Sequence, residues 1–96
     1  MQETTNKALF SLGQLVATPG ALASLAKAGQ TPLDFLSRHV CGDWGDIDKE
    51  DRKENELGLK RGFRLLSSYR TNAGAKIWVI TEADRSVTTV LLPDEY

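Results

Sequence analysis

Residues 63–93 read FRLLSSYR (63–70), TNAGA (71–75), KIWVITEA (76–83), DRS (84–86) and VTTVLLP (87–93). In the first run the odd positions Phe63, Leu65, Ser67 and Tyr69 are mostly apolar or aromatic. The even positions Arg64, Leu66, Ser68 and Arg70 carry the charge. Alternation with period two is the mark of a half-buried strand. Ile77 to Ile80 are apolar on both parities, as expected of a central strand covered on both faces. Asn72 to Gly74 and Asp84-Arg85-Ser86 supply turn residues between the runs. Pro93 closes the last one, because proline cannot donate to a ladder. Three strands in a meander are expected.

Working back from the meander, Thr18-Pro19 and Thr31-Pro32 are matched helix starts. Each places a capping hydroxyl before a proline whose missing N–H costs nothing in the first turn. The first helix is expected to bury Leu22, Leu25 and Ala26 and to stop at Gly29. The second is expected to bury Leu33, Leu36 and Val40 with Phe35 beside them. It would pair Asp34 with Arg38 on the outside and stop at Gly42. Residues 42–48, GDWGDID, read as a loop. A third helix is expected from about Lys49 to Lys60, capped by Asp48, with acids first and Lys60 and Arg61 last, as the macrodipole favours. Leu57 and Leu59 would anchor it, with Ile47 before it. Residues 8–17, ALFSLGQLVA, read better as a strand than as a helix, since Gly13 would cost a helix about 1 kcal/mol relative to alanine. The order β-α-α-α-β-β-β implies an α+β domain over residues 8–96. It would hold a small, mostly antiparallel sheet with helices on one face, after a flexible tail at residues 1–7.

The chain has 96 residues and a formal net charge of −1. Near-neutral charge argues against the strong field of a typical nucleic-acid binder. Cys41 is the only cysteine, which excludes an internal disulfide and suits a reducing, cytoplasmic setting. No apolar run approaches the roughly 18–20 residues of a membrane span. MQETTNK lacks the pattern of a secretory signal.

No complete catalytic or cofactor motif stands out. Asp43, Asp46, Asp48, Glu50, Asp51, Glu54 and Glu56 crowd together with only Lys49, Arg52 and Lys53 among them. An EF-hand begun at Asp46 places oxygens at its first, third and fifth positions. It then fails at Asp51, where glycine is needed, and at Leu57, where the bidentate glutamate is needed. No metal and no cofactor are expected. Trp44, between two Gly-Asp units, reads either as an exposed binding hot spot or as a plug between the second helix and the sheet. His39 is the only histidine. It lacks the further ligands of a zinc site, and Cys41 faces away from it on a helix. Its simplest role is to bond the last carbonyls of its helix. Lys60, Arg61, Arg64, Arg70, Lys76 and Arg85 lie in or beside the sheet region. They could form a modest basic patch beside Tyr69 or Trp78, though sheet edges carry such charges as protection.

The stretches LGQLVATPGAL, RHVCGDWGD, Glu54-Asn55, RLLSSYR and KIWVITEADRSVTTVLLPDEY resemble a family of short bacterial proteins often met on plasmids, prophages and other mobile elements. That family has no established activity, so the resemblance implies a setting and no catalytic residues. A looser likeness, at the level of fold alone, is to small nucleases of the barnase–colicin–RelE type.

The expected function is therefore a non-enzymatic protein-binding domain, an accessory or anti-defence factor of a mobile element. Asp43, Trp44, Asp46, Glu50, Asp51 and Glu54 would dock a partner, a basic one on charge grounds. The first alternative is a metal-independent ribonuclease drawing on His39, Arg70, Glu82, Arg85 and Thr88. The second is a subunit that adds its edge strand to a partner or to its own copy, which includes a homodimer.

Overall fold

The computed structural model describes residues 7–96. Of the expected tail only Lys7, which is exposed, falls within them. The elements follow the expected order: β1 (Gln14–Ala17), α1 (Pro19–Lys27), α2 (Pro32–His39), α3 (Lys49–Arg61), β2 (Leu65–Arg70), β3 (Lys76–Thr81) and β4 (Val87–Leu91), closed by a 3-10 turn (Pro93–Glu95). They form an α+β fold around one four-stranded sheet of order β1-β4-β3-β2. β2, β3 and β4 are antiparallel, and β1 joins β4 in parallel. The parallel pairing needs the crossover that the three helices and two strands between β1 and β4 provide.

Local signals set the helix boundaries. Thr18 Oγ1 accepts from Ala21 N at 3.1 Å and donates to Glu95 Oε1 at 2.5 Å, so the cap of α1 also fastens the C-terminal turn. That bond holds the Glu95 carboxyl below its ordinary range. Asp48 caps α3 through Asp51 N at 2.8 Å. Asp34 turns back to accept from Thr31 N at 2.9 Å rather than pairing with Arg38. Arg38 reaches Asp43 instead (Nε–Oδ2 2.8 Å).

The inward faces of the helices match those expected only in part: Leu25, Phe35 and Leu36 are buried and Val40 half-buried, but Leu22, Ala26 and Leu33 are exposed. Ala21 and Leu25 are buried on α1, while Leu22 is exposed. Phe35, Leu36 and His39 are buried on α2, and Leu33 is 68% exposed. Both helices are short and apolar around more than one stripe, so the spacing fits two phases, and the sheet selects the one that meets it. On α3 the buried residues are Asn55 and Gly58, whereas Leu57 is exposed. A polar helix lies this close because Gly58 leaves room for the Leu65 side chain.

The core joins Ala21, Leu25, Phe35 and Leu36 to Tyr69, Ile77, Val79 and Val90 of the sheet. Tyr69 stacks on Phe35 at 5.0 Å and donates its hydroxyl to Asp43 O at 2.5 Å. Burial pushes the Tyr69 phenol well above its ordinary pKa. On the other face Ile80 and Leu91 are buried, and Tyr96 meets Trp78 edge-on at 5.9 Å. The middle strand is thus apolar on both parities because both its faces are covered. Among the described residues no helix is long and apolar enough to cross a membrane.

Candidate functional site

His39 ends α2, but its ring does not turn to the helix carbonyls. It is fully buried and bridges two strands: Nδ1 lies 2.5 Å from Ser67 Oγ and Nε2 lies 2.9 Å from Thr81 Oγ1. Thr81 continues to Thr88 (2.7 Å), and Thr88 donates to Leu12 O at 2.7 Å. The far end of this chain fixes its direction. A carbonyl only accepts, so the Thr88 proton is committed to Leu12. Thr81 must then donate to Thr88 and accept from Nε2–H, which leaves Nδ1 to accept from Ser67. His39 is therefore the neutral Nε2–H tautomer, with every bond satisfied. Burial first, and the positive charge of Arg85 second, lower its pKa to about 4.

Phe10 and Trp44 close this network from the side, each edge-on to the imidazole at 5.3 and 5.6 Å. Trp44 is 1% exposed. The docking-residue reading of Trp44 is thus corrected: the indole plugs the core, and its backbone is equally engaged. Ser68 N donates to Trp44 O at 3.0 Å, and Asp46 N donates to Ser68 O at 2.6 Å. Gly45 between them has φ 74°, and a Cβ there would lie 2.1 Å from Ser68 O. Only glycine lets the loop lie against β2. Of the other expected docking residues, Asp43 is held below its ordinary pKa by its hydrogen bond to Arg38. Asp46, Glu50, Asp51 and Glu54 are exposed. No cluster able to hold a metal occurs among the described residues.

The five residues of the ribonuclease alternative are not brought together in a cleft. His39 and Thr88 share the buried chain, where both are shut from solvent. Arg85 bonds carbonyls: Phe63 O at 2.7 Å, Gly58 O at 2.8 Å, Glu82 O at 3.1 Å and Ala83 O at 3.2 Å. It clamps the end of α3 to the β3–β4 turn. Arg70 pairs in register with Lys76 at the opposite end of β3, about 16 Å away by the rise of a strand. Glu82 is exposed beside the β3–β4 turn. Of the basic patch, Arg70, Lys76 and Trp78 do share the second face of the sheet. Tyr69 lies on the other face, under Arg38. Arg64 sits over the Tyr96 ring and bonds its hydroxyl.

What the fold leaves open is one sheet edge. Along β2 the outward-facing backbone groups of Leu66 and Ser68 are covered. Asn55 donates to Leu66 O at 2.7 Å and accepts from Leu66 N at 3.0 Å, as a neighbouring strand would. The 44–46 loop takes Ser68. On β1, Gln14 N and Thr18 N bond Ser86 O and Val90 O, so the even residues face β4. By alternation Leu15 and Ala17 present their N–H and C=O outward, and no partner meets them among the described residues. Leu15 and Val16 are 53% and 42% exposed. They border an apolar groove of about 350 Å³, lined also by Ala17, Pro32, Leu33 and Leu36. Natural edges are blunted by charge, proline or cover. Here the chain carries no charge from Ala8 to Ala26.

No family model, no curated protein and no solved structure matches the chain.

Proposed function

We propose that this is a protein-interaction domain that binds by strand addition at the β1 edge. An extended, uncharged segment of a partner polypeptide lies beside β1. It satisfies Leu15 and Ala17 and places alternate apolar side chains in the groove against α2. The observation that carries this reading is the asymmetry of the two edges. One is covered at Leu66 by a side-chain amide and at Ser68 by a glycine loop, and ends on the charged Arg70. The other is uncharged, bare among the described residues, and flanked by exposed Leu15, Val16 and Leu33. The earlier acidic docking surface on α3 is the weaker candidate, because its aromatic anchor is inside the core. The ribonuclease reading has less support still, since a buried imidazole reaches no RNA phosphate without opening the core. The resemblance to proteins of plasmids and prophages supports an accessory or anti-defence role for such binding.

Site-specific photo-crosslinking in cells producing the chain tests this. A photoreactive side chain at position 15 is expected to capture a second polypeptide. One at position 54, on the acidic face of α3, is not. Ala17→Pro removes an outward N–H without touching the β4 ladder, and should abolish the capture from position 15. Capture from position 54 alone, or capture indifferent to Ala17→Pro, would refute the edge.

A further inference from the structure

We propose that the strand added to β1 is β1 of a second copy, forming a two-fold dimer with one continuous eight-stranded sheet. This rests on the edge reading above and specifies its occupant. The backbone itself selects the register. Leu15 and Ala17 are the outward-facing residues of a four-residue strand. Antiparallel pairing of Leu15 with Ala17 of the second copy, and the reverse, satisfies every outward N–H and C=O of both, with four hydrogen bonds and none left over. A two-fold centred on Leu15 would need Gly13 as a strand residue, and Gly13 stands at φ 65° with Ser86 O where a Cβ would go. A two-fold centred on Ala17 would need Pro19, which has no N–H and begins α1. The axis therefore passes beside Val16, which meets its own copy in a non-hydrogen-bonded pair about 4.5 Å apart between Cα atoms.

Charge agrees with a like partner. The sequence has no charged residue between Lys7 and Lys27, and the Glu95 carboxylate at Thr18 lies beyond the strand's end, held by the α1 cap, so the strand itself brings no charge to the pairing. The acidic α3 lies on the β2 side, about 14 Å across the sheet from β1 by strand spacing. The two acidic faces are thereby kept apart. Leu15 of each copy lies beside Ala17 of the other, where the small side chain leaves the Leu33 groove free to receive it. A four-residue strand and one shallow groove make a small interface, so the dimer is expected to exchange with monomer rather than to be permanent.

Sedimentation equilibrium of the full chain tests the proposal with Val16→Lys, Val16→Glu and their equimolar mixture. Val16 is partly exposed, so both variants keep the fold. The wild-type chain is expected to show a monomer–dimer equilibrium. Each variant alone, with like charges at the axis, should weaken it at least tenfold. The mixture should recover a dimer of one Lys and one Glu chain. A wild-type chain that stays monomeric to its solubility limit would overturn the proposal. So would variants that dimerise as well as wild type, or a mixture that does not recover. If the dimer fails while crosslinks from position 15 still reach another protein and vanish in Ala17→Pro, the second copy falls and the edge reading stands. If those crosslinks fail too, both fall.

Discussion

Replacing His39 by alanine is expected to destabilise the chain by about 3–5 kcal/mol, read as a lower midpoint in urea unfolding. The loss has two parts. The imidazole fills space between Phe10, Trp44 and the sheet, and its removal leaves a cavity. It also leaves the Ser67 hydroxyl without an acceptor and Thr81 without a donor, both deep in the core. A domain of this size holds about 5–14 kcal/mol in total, so the variant stands near the threshold of folding. Ser67→Ala removes one bond and little volume, and should cost about 1–2 kcal/mol; Thr81→Val removes two, to His39 and to Thr88, and should cost about 2–3 kcal/mol. The same group sets a pH dependence. The folded-state pKa of His39 is depressed from 6.5 to about 4. The unfolded chain therefore takes up a proton below 6.5 that the folded chain refuses until about 4. Stability is full above 6.5 and is lost as pH falls through this window, by about 3 kcal/mol in all. Between 6.5 and 5 the carboxylates of the unfolded chain are still largely ionised, so the slope there belongs to the only histidine. His39→Leu should flatten it. A wild-type chain equally stable at pH 7 and pH 5 would contradict the buried, neutral assignment.

Trp44→Ala should cost a similar ~3–5 kcal/mol, and the cost should appear in folding rather than in binding. The indole is the largest fully buried side chain. It packs on His39 and near-parallel to Phe10 at 6.3 Å. Its loss would loosen the 44–46 loop that seals β2. Two measurements check this. Wild-type fluorescence should carry a strongly blue-shifted component from Trp44, absent in Trp78-only protein. The urea midpoint of Trp44→Ala should drop steeply. A red-shifted, readily quenched Trp44 with unchanged stability would restore the exposed hot spot that the loop sequence also allowed.

Local chemistry was legible before any coordinates. The Thr-Pro starts, the Asp48 cap, the two turns and Pro93 each act within a few residues, and each falls where the sequence places it. What escaped depends on contacts between distant segments. Leu22 and Leu33 fit a helical stripe as well as Ala21 and Phe35 do, and only the sheet decides between them. Asn55 carries no local sign that its amide will stand in for a strand. The partner of His39 did leave a trace. Ser67 shares its parity with Leu65 and Tyr69, Thr81 with Ile77 and Val79, and Thr88 with Val90. Three hydroxyls on the buried face of three strands require a buried polar partner, and an imidazole on the facing helix supplies it. Edge-strand pairing was among the readings the sequence allowed, but which strand forms the open edge was not legible, because it follows from β1 pairing with β4 some 70 residues later.

Backbone amide exchange bears most directly on the central claim that one edge is sealed and the other available. In dilute Val16→Lys protein, where pairing between copies is suppressed, Leu66 and Ser68 amides should exchange as slowly as the core strands. Leu15 and Ala17 amides should exchange at nearly the rate of an unprotected chain. Slow exchange at Leu15 and Ala17 in that protein would mean the edge is already covered, and the account would be wrong.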